Sequence, residues 1–183
     1  MVHHSKELEQ QFALQTAAAM CAAARTAPKG HGKDTIHTLV LTGEDKERLA
    51  EKMEEVGKRM MGEKWPTWYG RDANNVRAAN AVVLIGAELK TRGVPNCGTC
   101  GFANCGECTA SGGRCGIMFI DLGVAVASAA ETASENKCDN RIMFSVGRAA
   151  AELDCADENC YWLGIPISIS GKSIFYDRGI FHD

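Results

Sequence analysis

Residues 81–86 read Ala-Val-Val-Leu-Ile-Gly, an apolar run with no polar residue alternating through it. A strand with one solvated face alternates, whereas a strand buried on both faces does not. The run therefore reads as a central strand. Upstream, residues 35–42 (TIHTLVLT) are rich in β-formers and read as a second strand. Before it, Ser5 is placed as the cap of a helix running to about residue 26. Leu8, Phe12, Gln15, Ala19 and Ala22 fall there at helical spacing, and the Ala-rich second half lets another backbone approach closely. Pro28, Gly30 and Gly32 break that helix. Thr42 and Asp45 make a capping-box-like start to the next helix, whose Leu49, Met53, Val56 and Met60 form a core-facing stripe. Asp72 is placed as the cap of a short helix reaching residue 79.

Downstream lies a Gly- and Cys-rich loop, residues 92–116, and then a second small-residue helix over 119–134. A polar–apolar stretch at 139–146, a short helix at 148–153 and two strands at 162–170 and 173–176 complete the chain. Helices alternating with strands argue for an α/β layered fold. The spacing predicts a single domain, residues 1–183, carrying one inserted loop. With 183 residues, 45% of them hydrophobic, the chain can build a full core. The net charge of −3 argues against a nucleic-acid or polyanion binder, which carries a clustered basic face. The longest apolar run, residues 81–87, is strand-sized, so no membrane span is expected. The first residues lack a basic-then-apolar signal pattern, which points to a cytoplasmic protein.

That compartment bears on the loop, which reads Asn-Cys-Gly-Thr-Cys-Gly-Phe-Ala-Asn-Cys-Gly-Glu-Cys over residues 96–108, followed by Cys115. Structural disulfides are disfavoured in reducing cytosol, and an odd total of nine cysteines fits a disulfide framework poorly. Clustered thiols there serve metal or catalysis. Short spacings bring thiolates together at little loop-closure cost. Gly98, Gly101 and Gly106, each directly after a cysteine, permit tight turns that aim N–H groups at sulfur. Zinc prefers two Cys pairs on separate knuckles, and two C-x2-C pairs only four residues apart are cramped for that. No His follows either pair as haem attachment requires. Cys100, Cys105 and Cys108 also spell the C-x4-C-x2-C of two-iron ferredoxins. An iron–sulfur cluster leads, with zinc as the competitor.

NCGTCGFANC, residues 96–105, resembles a short four-iron cluster module. AARTAPKGHGKD, RDANNVRAANAVVLIG, IDLGVAVASA, DNRIMFSVGRAA and GIPISISGKSIFYDR extend the likeness over nearly the whole chain, which resembles a prokaryotic family of proteins containing a ferredoxin domain. The resemblance implies a 4Fe–4S cluster on Cys97, Cys100, Cys105 and Cys115, with Cys108 as the alternative fourth ligand. The layout also resembles the nitroreductase flavin fold, which implies a three-layer α/β (α+β) body, a homodimer and FMN between subunits. Carried onto this chain, Arg25, Lys29 and Gly30 would lie by the flavin, and Lys172 and Arg178 would hold its phosphate. The chain departs from that pattern in lacking an N-terminal Arg-Arg-Ser arm and in reading Pro-Lys-Gly-His after the first helix.

The function implied is a redox protein passing electrons through the cluster to an unknown partner, or an FMN-dependent oxidoreductase. The alternative is a cluster- or zinc-binding sensor or assembly protein without turnover. No catalytic acid or base stands out. Each basic residue also has a local use. Arg25 complements a helix dipole, Lys172 sits in a hairpin turn, and Asp177 pairs with Arg178. His37 reads as a half-buried side chain with a satisfied partner. Residues 139–141 read as structural hydrogen-bonding groups, and Cys21, Cys138, Cys155 and Cys160 as core or surface thiols.

Overall fold

The computed structural model describes residues 1–62 and 68–176. Its centre is a four-stranded antiparallel sheet in the order β1-β2-β4-β3. The strands are β1 (Ile36–Leu41), β2 (Ala81–Glu88), β3 (Asp139–Asn140) and β4 (Cys160–Ser168). β2 pairs with β1 from Ile36↔Ala87 to Leu41↔Val82, and with β4 from Ala81↔Ile167 to Glu88↔Cys160. Every residue of β2 up to Ala87 is buried. The missing alternation in AVVLIG has its cause in two cores. Val83 and Ile85 face one of them, while Val82 and Leu84 face the other.

Helices α1 (Ser5–Thr26) and α5 (Gly116–Glu135) cover the first face. Ala13, Ala17 and Ala24 meet Ala125, Ala129 and Ala133 in that core, and their small side chains let the two helices lie close. The buried face of α1 is Ala13, Thr16, Ala17, Met20 and Ala24. Leu8 and Phe12 of the expected stripe point outward, 50% and 43% exposed. Periodicity was the right signal on the wrong residues, because in an Ala-rich helix size does not mark the face that packs. Helices α2 (Gly43–Met61), α3 (Trp68–Ala78) and α6 (Phe144–Ala150) cover the second face. Leu49, Met53 and Val56 of α2 are fully buried, whereas Met60 is half exposed.

Several boundaries differ from the sequence reading. His4, not Ser5, occupies the cap position of α1, and Thr42 caps α2 without a side-chain bond. Asp72 lies inside α3, where its buried carboxylate accepts from Ser145 Oγ at 2.6 Å and from Arg71 at 3.0 Å. Residues 173–176 form no strand; they turn, and Phe175 enters the second core. α6 begins at Phe144, ahead of the expected residue 148.

α5 is long and apolar enough to cross a membrane by length and composition, a feature the search for apolar runs did not pick out. Its Leu122, Ala125, Val126 and Ala129 are nonetheless buried against α1 and the sheet, as in a core helix.

α6 sits directly on β4. A Cβ at Gly147 would stand 1.9 Å from the Trp162 carbonyl oxygen, and that backbone cannot retreat without breaking the β2–β4 ladder. Gly147→Ala is therefore expected to lower stability by about 2–3 kcal/mol. Urea unfolding checks it against Gly123→Ala, where a Cβ meets nothing within 4 Å.

Candidate functional site

The site gathers at the end of the sheet where β2 finishes. There the Glu88 carboxylate meets Lys90 Nζ at 2.6 Å and His37 Nε2 at 3.0 Å, and these two hydrogen bonds, that of Lys90 first, hold it below the usual carboxylate range. His37 is thus the satisfied strand histidine expected. The chain then passes into the cysteine loop through Arg92, which is 1% exposed. Arg92 Nε donates to Asp121 Oδ2 at 2.8 Å, and its Nη1 donates to the Lys90 carbonyl at 2.9 Å. Asp121, on α5 and 3% exposed, accepts the Gly30 N–H on its other oxygen at 2.7 Å. One buried ion pair therefore joins the entry to the cysteine loop, helix α5 and the loop after α1. A Cβ at Gly30 would lie 2.5 Å from Ile117 Cγ2, so the contact demands glycine. Sequence reading singled out Gly30 but missed Arg92 and Asp121. The Asp in the apolar run IDLGVAVA was the available signal, since a carboxylate on a core helix needs a buried partner.

Within the loop, Gly98 and Gly101 adopt positive φ, +57° and +81°, and the Gly101 N–H donates to the Gly98 carbonyl at 2.9 Å. These are the tight turns expected. Gly106 differs, because it lies inside a short helix, α4 (Cys105–Ala110). Asn104 caps α4 by accepting from the Glu107 N–H at 2.9 Å, and Glu107 accepts in return from the Ala103 N–H at 2.8 Å. The Asn-x-x-Glu spacing of a capping box was legible there and went unread.

Cys97, Cys100 and Cys105 line one cavity of about 370 Å³. Cys108 is fully buried beside it. Burial first, then the neighbouring Cys100 thiol and the nearby Cys115 and Cys105, push the Cys108 thiol above its ordinary pKa. Cys115 caps α5 and lines a separate recess with Thr109 and Arg114. The loop folds back so that Thr99 presses on Gly116, which carries Cys100 toward Cys115. Among the described residues, no three His, Cys, Asp or Glu side chains converge to hold one metal ion. The thiols instead surround a space. Three thiols facing one cavity are a donor set that a metal ion or a cluster could take.

The flavin candidates fare differently. Arg25 donates to the Ile36 carbonyl at 2.9 Å and pairs with Asp34 at 2.5 Å. Lys29 Nζ donates to the Arg25 and Ala27 carbonyls at 2.5 and 2.8 Å. With the Gly30 N–H on Asp121, all three serve the local structure. Lys172 follows β4 beyond the Ala81↔Ile167 end of the sheet, whereas Arg25 sits beside Ile36 near the Glu88 end. At about 3.3 Å per residue, β2 separates those ends by roughly 25 Å. Within one protomer the Arg25–Gly30 loop and Lys172 therefore adjoin opposite ends of the sheet. Arg178 lies outside the described residues.

The three-layer body is that of the nitroreductases. A nitroreductase with bound FMN from Desulfitobacterium hafniense superposes with a TM-score of 0.57 at 16% identity, covering 87% of this chain and 79% of its own. The FMN-dependent nitroreductase NfnB of Mycobacterium smegmatis, in complex with NADPH, gives 0.57 at 13% identity, with 86% and 78% covered. At those identities the likeness is one of fold. Residues 111–178 match the family described as "Uncharacterized protein containing a ferredoxin domain (DUF2148)". An Archaeoglobus fulgidus protein is 37% identical over 97% of this chain and 98% of its own length. The chain belongs to that ferredoxin-domain family, built on a nitroreductase-like fold.

Removing one member of a buried pair leaves the other charge uncompensated. Asp121→Ala is expected to cost about 3–5 kcal/mol in urea unfolding and to open residues 28–33 and 92–96 to limited proteolysis. A second outcome concerns the thiols away from the loop. Burial pushes Cys160 up to about 11, with Asp157 and Glu88 adding to it, while Cys155 is exposed. An unfolded thiol ionises near 8.5. The folded chain keeps the Cys160 proton above that, so this contribution to stability is whole below about pH 8.5 and is lost as pH rises toward 11. At pH 8, iodoacetamide is expected to alkylate Cys155 well before Cys160, read by peptide mass mapping.

Proposed function

We propose that the protein is an electron-transfer protein whose cysteine loop holds a 4Fe–4S cluster. The observation that carries this is the cavity bounded by Cys97, Cys100 and Cys105, with Cys108 and Cys115 close behind. Membership in a ferredoxin-domain family supports it. When bound, the cluster would supply one-electron chemistry. The chain's own part is to hold the thiolates, to turn the backbone at Gly98 and Gly101, and to fix the loop to the body through Arg92 and Asp121. Cys115 is the fourth ligand in this reading, with Cys108 the alternative.

A homodimer belongs to the same reading. α5 leaves Phe119, Ile120 and Val124 exposed beside a buried face, and α1 leaves Leu8, Phe12 and Leu14 outward, an apolar area that a second copy would cover. Support for FMN as a second centre comes from the fold, which a flavin-bound structure shares.

Purification without oxygen, followed by iron, sulfide, zinc and flavin assays, tests the proposal. About four irons and four sulfides per chain, with brown absorbance that dithionite bleaches, is the expected result. Zinc in a colourless protein overturns it. Cys97→Ser, Cys100→Ser and Cys105→Ser should each lose iron, and a comparison of Cys108→Ser with Cys115→Ser identifies the fourth ligand. A yellow component released on denaturation supports FMN; its absence restricts the function to the cluster. Separately, Ile120→Glu on the exposed face of α5 is expected to convert a dimer to a monomer by light scattering, with the circular dichroism spectrum retained.

A further inference from the structure

A groove of about 440 Å³ lies between α6, the start of β4 and the last part of the cysteine loop, away from the cavity of Cys97, Cys100 and Cys105. Its volume falls in the range of small-molecule sites. Phe144 and Trp162 supply aromatic wall, Met60 and Leu89 add aliphatic surface, and Tyr161, whose ring turns to Phe119 on the other face of β4, closes the edge. Phe144 and Met60 are each about half exposed there, so apolar area in the groove remains uncovered. Met60 is the position that broke the buried stripe of α2, and the groove gives its outward thioether a use. Gly147 also lines the groove.

The charges are equally specific. Arg25, Arg48, Arg59, Arg71, Arg77 and Arg92 each hold a carboxylate within 4.0 Å. Arg114 and Arg148, both exposed on the rim of this groove, hold none among the described residues. Two uncommitted guanidiniums over an aromatic wall, in a chain of net charge −3, are an anion-selective arrangement. Glu158 shares the lining and leaves one net positive charge across it, which suits a monoanion better than a polyphosphate.

We propose that this groove binds a small planar aromatic monoanion, an aryl carboxylate in class. The ring lies against Phe144, Trp162 and Met60, and the carboxylate sits between Arg114 and Arg148. Arg114 directly precedes Cys115, so the occupant adjoins the cysteine loop. The site stands whatever that loop holds.

Calorimetric titration of the full chain with 2-naphthoate, and with neutral 2-naphthamide, tests it. One saturable site per chain is expected, with naphthamide at least 10-fold weaker. Arg114→Gln and Arg148→Gln should each weaken naphthoate about 10-fold, while Arg48→Gln, on the far end of α2, leaves it unchanged. The three side chains are exposed, and circular dichroism verifies that the variants fold. No saturable heat at millimolar ligand overturns the proposal. So does equal binding of the amide, or an unchanged affinity in either Arg114→Gln or Arg148→Gln.

Discussion

The salt bridge between Arg92 and Asp121 is the constraint on which the functional end of this molecule depends. Two opposite charges out of water cost several kcal/mol each to desolvate, and their attraction offsets this only when the remaining hydrogen-bonding capacity is also used. Here most of it is. Asp121 gives one oxygen to Arg92 and the other to the Gly30 amide, and Arg92 gives a second N–H to the Lys90 carbonyl. Only its Nη2 lacks a partner among the described residues. The pair adds little as a source of net stability, but it fixes geometry. Three segments distant in sequence can meet at this point in one arrangement only.

The opposite face of the sheet carries a related but different device. Asp72 is buried on α3 and is met by Ser145 of α6, 73 residues later in the chain. The carboxylate thereby ties two helices that both pack on β4. Each core thus contains one acid, and each acid fastens elements that apolar packing alone would let slide. Between them lies β2, whose residues alternate between the two cores.

The layered body was legible because its determinants are local. The apolar run of β2, the stripe Leu49–Met53–Val56 of α2 and the breakers after α1 each report on their own segment. The buried face of α1 was not legible, since Ala13, Ala17 and Ala24 look no different from their exposed neighbours until α5 is placed against them. Asp72 was taken for a cap because aspartate favours caps, and its true partner is remote. Arg92 and Asp121 lie 29 residues apart with no spacing rule to join them. The cysteines were conspicuous as a set. Which of them face one cavity depended on turns at Gly98 and Gly101 and on the short helix from Cys105, where the backbone decides which way each sulfur looks. The separation of Lys172 from Arg25 was also beyond a linear reading, because it follows from the antiparallel register of the sheet.

β2 ends, and α5 begins, at the same end of the sheet. Everything from residue 93 to residue 115 is an excursion that leaves the body and returns almost to where it departed. The entropic cost of closing such a loop grows only slowly with its length. The body's two cores take only Cys115, at its very end, from it; Cys108 is buried within the excursion itself. A fold arranged in this way has a socket. The chemistry plugged in between β2 and α5 can be lengthened, exchanged or lost over evolutionary time while the layers beneath go on folding as before.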